Sequence, residues 1–428
     1  MSAPAPVSRG AEPPRSGELP LQGRREHRYL SGTFAELCRI ESPSLHERRC
    51  AERVIAELRA LGVAVHEDDA AARIGSDCGN LLARIPAAPS ARARASEAAA
   101  QQGAPGERGA PRSVLLCAHL DTVPLAAPVE PVLVDGFWEN ANEGILGADN
   151  KAAVAVLLAL ARHVHEHGSP VDVELLFTVA EEISLEGSRA FDASQLRSDF
   201  GYVFDHASPI GEVVLRSPTH FRVTAAFRGA AAHAGIRPEQ GRSAILAAAR
   251  AVSSLPLGRV DGESTVNVGT IAGGSAVNVV PEHCTLTAEV RAIPGPGRND
   301  ERRVEELVRE VVDRVHDAAN LPDCDCDVDV SVERTFTGFR LPPATPGVRV
   351  AEAALRACGH EPVGIASGGA SDANALIAQG FPTVNVANGT ERNHEPGERV
   401  SVVALEQALA VALALLEQAA AVPDARAV

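Results

Sequence analysis

The stretch Val114-Leu115-Leu116-Cys117-Ala118-His119-Leu120-Asp121 decides the fold class. Its first five residues form a continuous apolar run without polar alternation, which reads as a strand buried on both faces. The run then empties into His119 and Asp121, two residues apart, so both side chains can share one face of an extended segment. Open α/β sheets build their sites at such carboxyl-terminal strand ends. The pattern recurs outward from this point. Val171–Val179 leads into Ala180-Glu181-Glu182, and Tyr202–Phe204 leads into Asp205-His206. Helical patterns alternate with the strands: Ser44–Leu61, with Ser44 as N-cap and Gly62 as stop, then Asp149–His167 and Ser184–Phe191. Near the end come helices Pro346–Ala357, Asp372–Gln379 and Val402–Ala421 and the strand Thr383–Val386. This alternation predicts an α/β domain with a mostly parallel mixed sheet flanked by helices.

The pattern changes after Pro218. Phe221–Phe227 alternates, Ser243–Leu255 is helical, and strand-like runs follow at Thr265–Ile271, Ser275–Val280 and Cys284–Val290. A helix over Glu301–Ala318 and an alternating run over Cys326–Val332 complete a βαββαβ, ferredoxin-like order. Residues 219–330 are therefore expected to form a small domain inserted into a larger one made of residues 29–218 and 331–428. Residues 1–28, with five Pro and three Gly, read as a disordered arm. Residues 87–112 hold ten Ala and no larger aliphatic residue, and read as a low-complexity hairpin extension.

Composition narrows the function. The 428 residues carry 40 Lys and Arg against 56 Asp and Glu, a net charge of −16. That balance argues against a nucleic-acid partner, because phosphate binding needs clustered basic residues. Aromatic residues are only 3%, which disfavours a base-stacking platform. The most apolar stretch, Val402–Val422, is interrupted by Glu406, Gln407, Glu417 and Gln418, so no membrane span is expected. The first 28 residues lack the apolar centre of a secretory signal. Eight scattered Cys without Cys-x-x-Cys spacing fit reduced thiols in the cytoplasm. No Gly-x-Ser-x-Gly elbow occurs, and Gly144–Lys151 lacks the Gly-Lys-Ser/Thr ending of a phosphate loop. His163, His165 and His167 look like a metal tract, but they end a predicted helix, where imidazolium suits the macrodipole.

Five segments carry His, Asp or Glu at the common strand edge: His119-Leu120-Asp121, Asp149-Asn150-Lys151, Glu181-Glu182, Asp205-His206 and Asn393-His394. Imidazole and carboxylate donors without thiolates suit zinc, manganese or cobalt in a working site. Of His119 and Asp121, one can bind a cation while the other orients it. Glu181 and Glu182 point to opposite sides of an extended segment, so one can bind while the other reaches water.

In these motifs the chain resembles the M20 metallopeptidases, and within them the peptidase T-like branch of tripeptide aminopeptidases. The resemblance runs from about residue 30 onward. It rests on Ala118-His119-Leu120-Asp121-Thr122-Val123-Pro124, Leu146-Gly147-Ala148-Asp149-Asn150-Lys151-Ala152, Thr178-Val179-Ala180-Glu181-Glu182 and Phe204-Asp205. Ala232-His233-Ala234-Gly235 and Ser367-Gly368-Gly369-Ala370-Ser371-Asp372-Ala373-Asn374 fit as well. Two departures are the Ala-rich insert and the Asn393-His394-Glu395-Pro396 setting of the last ligand.

The resemblance implies a co-catalytic pair of divalent cations, zinc first, with manganese or cobalt as alternatives. Asp149 would bridge them, with His119 and Asp205 on one and Glu182 and His394 on the other. Asp121 would orient His119, and Glu181 would be the general base for a water shared by the metals. His233 would reach across a homodimer interface formed by the inserted lid domain to stabilise the oxyanion. Asn278 and Arg291 would hold the substrate's carboxylate or backbone carbonyl. A cis peptide is implied at Asp149–Asn150. Relatives acting on amino-terminal or short-peptide substrates mostly carry Asp at the Asp205 position, whereas deacylases and carboxypeptidases mostly carry Glu. The implied activity is hydrolysis of short peptides, with an N-acyl-amino-acid deacylase or carboxypeptidase as the alternative within the family. A non-catalytic scaffold would have lost the base or a ligand, and all are present.

Overall fold

The computed structural model describes residues 21–91, 93, 112–297 and 300–421. In chain order the strands are β1 (Val65–Glu67), β2 (Leu81–Ile85), β3 (Ser113–His119), β4 (Pro131–Val134), β5 (Phe137–Asn140), β6 (Asp172–Thr178), β7 (Phe200–Phe204), β8 (Glu212–Ser217), β9 (Thr219–Arg228), β10 (Gly258–Asp261), β11 (Ser264–Gly273), β12 (His283–Ala292), β13 (Asp327–Phe336), β14 (Phe339–Arg340), β15 (Val363–Ala366), β16 (Thr383–Val386), β17 (Thr390–Glu391) and β18 (Arg399–Ser401). The α-helices are α1 (Leu21–Cys38), α2 (Arg48–Ala60), α3 (Ala70–Ile74), α4 (Ala148–His167), α5 (Glu186–Ala190), α6 (Ala244–Ser254), α7 (Arg302–Ala319), α8 (Pro346–Ala357), α9 (Asp372–Ala378) and α10 (Val402–Ala421).

The large sheet runs β1-β2-β6-β3-β7-β16-β8-β14, with β15 also on β8. Its centre is parallel: β3 lies between β6 and β7, and β16 continues on β7. All seven residues of β3 are buried, as the unbroken apolar run requires. Helices α1, α2, α4, α8 and α10 close one face around Leu116, Leu157, Tyr202 and Leu415. The other face packs Leu115, Cys117, Phe191, Leu376 and Phe381. Helix α10 is long and apolar enough to cross a membrane, but half of its apolar window is buried in the first core.

The inserted domain is a five-stranded antiparallel sheet, β10-β11-β12-β9-β13. Helices α6 and α7 pack on it through Ala247, Ala248, Leu307 and Val311. Ser243 caps α6 by accepting from the Leu246 N–H at 3.1 Å.

Several expectations are corrected. Residues 21–28, expected in the arm, open α1, while residues 1–20 lie outside the described set. Ser44 does not cap α2, which starts at Arg48; its hydroxyl donates instead to Asp121 Oδ2 at 2.7 Å. Ser275–Val280 is a turn with an exposed Val277 rather than a strand, because its apolar side chains meet no second layer. The inserted sheet gains β10, and β13 runs on to Phe336, past the expected boundary at 330. A small sheet, β17-β18-β5-β4, was missed because its strands are only two to four residues long. Most of the 87–112 segment lies outside the described residues.

Candidate metal centre

Three adjacent strands deliver the chemistry to one edge. His119 ends β3, Glu181 and Glu182 follow β6, and Asp205 follows β7. Asp149 comes from the first turn of α4, where Gly147 takes φ 75°. A Cβ on Gly147 would also sit 3.2 Å from Thr122, so the left-handed turn suits glycine alone. The Asp149–Asn150 peptide is cis. His394 lies in the loop between β17 and β18.

The local backbone is unusual in both loops. Ala180, Ser184, Leu185, Arg392 and His394 all have positive φ without being glycine. Such conformations persist where surrounding contacts hold them, and they cluster at working sites. Gly187 lets α5 approach β6, since a Cβ there would fall 1.9 Å from the Val179 carbonyl oxygen.

The side chains converge on Asp149. His119 Nε2 lies 3.3 Å from Asp149 Oδ1 and 3.7 Å from Asp205 Oδ1. His394 Nε2 lies 3.2 Å from Asp149 Oδ2 and 3.0 Å from Glu182 Oε2. Two groups of donor atoms therefore share Asp149: His119, Asp149 and Asp205, and Asp149, Glu182 and His394. Glu181 joins His119 and Glu182 in a third group. In each group the donor atoms lie within 4.8 Å of one another.

Asp121 is fully buried and does more than orient the imidazole. It lies 3.2 Å from His119 Nδ1, whose proton also reaches the Asp121 carbonyl at 3.1 Å. Its two carboxylate oxygens accept the Glu181 and Glu182 N–H groups at 3.0 and 3.1 Å. With Nδ1 donating, Nε2 is the His119 nitrogen left facing the two carboxylates.

Four supporting residues escaped the sequence reading. Asn393 donates to Asp149 Oδ2 at 2.8 Å. Glu398, 1% exposed, accepts the Leu146 and Gly147 N–H groups on Oε2 and the Asp149 N–H on Oε1, at 2.7–2.8 Å. Glu47 accepts the Ala180 N–H at 2.9 Å. Asn385 accepts from the Asp205 N–H and donates to the Asp205 carbonyl. Glu47 lies inside the stretch read as a helix from Ser44, and Glu398 lies in a polar Pro-Gly-Glu-Arg stretch, so only the pairing of distant segments reveals them.

Burial pushes Asp205 up to about 7, with the charge of Asp149 adding to it. Burial and then Asp205 raise Glu181 well above the carboxylate range. Burial raises Glu182 as well, against the His394 contact. Burial also works to raise Asp149, but the imidazoles of His119 and His394 hold it below the usual range. Contacts with Asp149 and Glu182 raise His394 to about 10. Burial opposes protonation of His119, yet Asp121, Asp149 and Asp205 carry it well above its ordinary value. Burial raises Glu398 to about 7 against the pull of its three N–H groups.

The residues fit a pair of divalent cations. His119 Nε2 and Asp149 Oδ1 are buried without a hydrogen-bond partner, although they face each other. Four carboxylates crowd two imidazoles, a surplus of buried negative charge that needs compensation. All donors are N or O, with no thiolate, as in open catalytic sites.

The other expected site residues do not join this cluster. His233 and Asn278 lie side by side in the inserted domain, the Ala234 N–H donating to the Asn278 carbonyl at 2.9 Å and His233 bridging Val279. Both are exposed. Arg291 is paired with Glu289 at 3.1 Å and donates to the Gly368 carbonyl at 3.0 Å, so it ties the inserted domain to the loop before α9. Lys151 is buried and donates to the Ile40 carbonyl, away from the cluster.

Comparison with known proteins gives the family. The family profile described as "Peptidase dimerisation domain" matches residues 215–320, and that described as "Peptidase family M28" matches residues 101–224. The uncharacterized protein YqjE of Bacillus subtilis (strain 168) is 31% identical over 393 residues, 90% of this chain and 97% of its own. The crystal structure of aminopeptidase PepT from Bacillus cereus is 32% identical, with a TM-score of 0.79 over 92% of this chain and 99% of that one. A tripeptidase from Staphylococcus aureus is 30% identical, with a TM-score of 0.82 over the same shares.

Proposed function

Because the chain belongs to the M20 metallopeptidases, in their peptidase T-like branch, and is a peptide-bond hydrolase, we propose that it removes residues from short peptides, tripeptides above all. The observation that carries the reading is Asp149 standing between two ligand groups. His119 and Asp205 would hold one cation, Glu182 and His394 the other, and Asp149 both. Zinc is the first choice, with manganese and cobalt sharing the same donor preference. Such a pair polarises the scissile carbonyl and makes water acidic enough to attack at neutral pH.

Glu181 is the proton carrier in this proposal. Its carboxylate takes one proton from the attacking water as the new C–O bond forms, and returns it to the leaving amine nitrogen as the C–N bond breaks. Burial beside Asp205 keeps its proton affinity high, which suits a group that must hold a proton between the two steps. Asp121 sets both the His119 tautomer and the backbone of the Glu181–Glu182 turn. His233 and Asn278, adjacent and exposed on the inserted domain, would complete the site of a second copy in a homodimer. Arg291 would meet the substrate carboxylate only after leaving Glu289. Eight unpaired cysteines, seven of them buried, support a reducing, cytoplasmic setting.

The test is a substrate panel on metal-loaded enzyme: free tripeptides, N-acetyl amino acids, and N-blocked peptides with a free carboxyl end. Tripeptides should be cleaved fastest, and only after the chelator-treated protein regains zinc, manganese or cobalt. Preference for N-acetyl amino acids would make the chain a deacylase, and preference for N-blocked peptides a carboxypeptidase. Full turnover in chelator would overturn the mechanism.

A further inference from the structure

A row of polar side chains crosses the inserted sheet at its junction with the catalytic domain. In register, His220 of β9 lies opposite Arg291 of β12 and Phe336 of β13. Glu289 stands two residues before Arg291, on the same face of β12. The opposite face packs Val223 and Val290 under α7, so the row looks away from that helix. Arg291 donates to Glu289 from Nε at 3.2 Å and from Nη2 at 3.1 Å, and from Nη1 to the Gly368 carbonyl at 3.0 Å. His220 Nε2 lies 3.1 Å from the same carboxylate. The buried imidazole is fixed in turn by Thr335 at Nδ1 and by the Phe336 ring stacked on it, centroids 5.1 Å apart. The loop that Arg291 touches opens α9, whose Asp372 accepts the Thr178 hydroxyl three residues before Glu181.

We propose that Glu289 is a resident rival of the substrate, a positioning residue whose carboxylate holds Arg291 until the free carboxylate of a peptide takes its place. The inference rests on the peptidase reading above and adds to it a residue that sets selectivity for a free carboxyl end. Three observations carry it. First, the contact on Arg291 is one a substrate can copy. A guanidinium holds a carboxylate bidentately along an edge of two N–H groups. Glu289 fills the Nε–Nη2 edge with both oxygens, and the Gly368 carbonyl draws on Nη1. An incoming carboxylate offers the same pairing in exchange, whereas a carboxamide end offers no charge. Second, Glu289 keeps a partner when Arg291 leaves. Its contact with His220 holds the carboxyl down at about 2, against burial, and Arg291 adds to this. The exchange therefore avoids the penalty of stranding an unpaired charge. Third, the Arg291–Glu289 pair is open enough to give way. The two side chains are 29% and 34% exposed, and a pair so accessible to water is worth little. Arg222, opposite Glu289 in register, pairs with Glu333 at 3.5 Å and does not stand in for Arg291.

The test compares wild type with Glu289→Gln as metal-loaded, full-length protein. The amide keeps one acceptor oxygen and loses the charge. On a free tripeptide the variant should show a KM about 2–5-fold lower, the share that a half-exposed ion pair can withhold, with kcat unchanged. On the same tripeptide with a carboxamide end, both constants should stay the same. An unchanged KM on the acid, a raised one, or an equal shift on acid and amide overturns the proposal. If N-acetyl amino acids or N-blocked peptides are the better substrates, the acid and amide pair is drawn from that class, since each carries a free carboxylate. A readout without turnover separates this inference from the peptidase reading. Phenylglyoxal labels arginine side chains, and peptide mapping by mass spectrometry follows Arg291. Labelling of Arg291 should be faster in Glu289→Gln than in wild type, and the free tripeptide should slow it more than the amide does. Equal labelling rates in the two proteins overturn the proposal, and faster labelling upholds it even if tripeptides are not cleaved.

Discussion

Replacing Glu398 by Gln tests whether the Asp149 loop is held by a buried carboxylate rather than by its own backbone. The carboxylate receives three N–H groups: Leu146 and Gly147 on Oε2, and Asp149 on Oε1. An amide has one acceptor oxygen. Turned toward Leu146 and Gly147, it keeps two bonds and sets its NH₂ against the Asp149 N–H. Turned the other way, it keeps one bond and loses two. The first arrangement wins, so the loss falls on Asp149. A hydrogen bond to a charged acceptor contributes about 1.5–3 kcal/mol, and an unsatisfied buried N–H costs about 1–3 kcal/mol. The two describe one event, so a net cost of about 1.5–3 kcal/mol is expected at pH 8, where the carboxylate is ionised. That is a large part of the usual stability of about 5–15 kcal/mol. Metal affinity should fall as well, by about 10–100-fold, as when a ligand's supporting partner is lost. Denaturant unfolding of the chelator-treated protein at pH 8 reads the first effect, and competition with a chelator of known affinity reads the second. A stability change under about 0.5 kcal/mol together with unchanged metal affinity would show that the loop holds itself.

Glu181→Gln should keep its metal yet turn over about 10²–10⁴-fold more slowly, whereas Glu182→Gln should lose metal affinity first; the reverse pattern on metal analysis and kinetics would exchange their roles. Glu47, pushed up to about 7 by burial and then by Asp121, binds its proton more tightly folded than unfolded. Its contribution to stability is therefore complete below about 4.5 and lost as the pH rises through about 7. Relative to Glu47→Gln, the wild type should be more stable at pH 5 than at pH 8 by on the order of 3 kcal/mol, and a difference independent of pH in urea titrations would refute this. His233→Ala should cut turnover by about 10²–10³-fold without loss of metal. Mixed under subunit exchange with Glu181→Ala, it should regain activity that neither variant has alone; exchange without recovery would confine His233 to its own subunit.

The sequence exposes what ends a buried strand and hides what crosses between segments. β3 is legible because five apolar residues in a row, Val114–Ala118, leave no polar alternation to interpret, and His119 is legible because it ends that run. Helices α8 and α10 and strand β16 fall where the pattern puts them, since each buries a face long enough to show its period. Ser44 reads as a cap because Ser before a helical pattern usually is one. Its hydroxyl goes instead to Asp121, 77 residues away, a choice no local pattern records. The same holds for Glu398, whose Pro-Gly-Glu-Arg setting looks like a solvated turn while its carboxylate reaches Leu146 across 252 positions. The rejected histidine tract shows it again. Helical spacing pairs His163 with His167, but only the packing of α1 on α4 supplies Glu26.

These hidden contacts share one chemistry, and it bears on how the centre is built. Asp121, Glu47 and Glu398 are buried carboxylates that accept backbone N–H groups from the loops carrying Glu181, Glu182 and Asp149. A neutral amide offers such donors a single oxygen. A carboxylate satisfies two or three at once, and so can hold backbone that Ala180 and Leu185 keep at positive φ. The same choice concentrates negative charge around Asp149. Without cations the protein answers with protons, which is why Glu181, Asp205, His119 and His394 all bind them more tightly than usual. Cations and protons therefore compete for the same oxygens and nitrogens. Loading the centre should release protons, and its affinity should fall as the pH is lowered through the elevated values of Asp205, about 7, and His394, about 10.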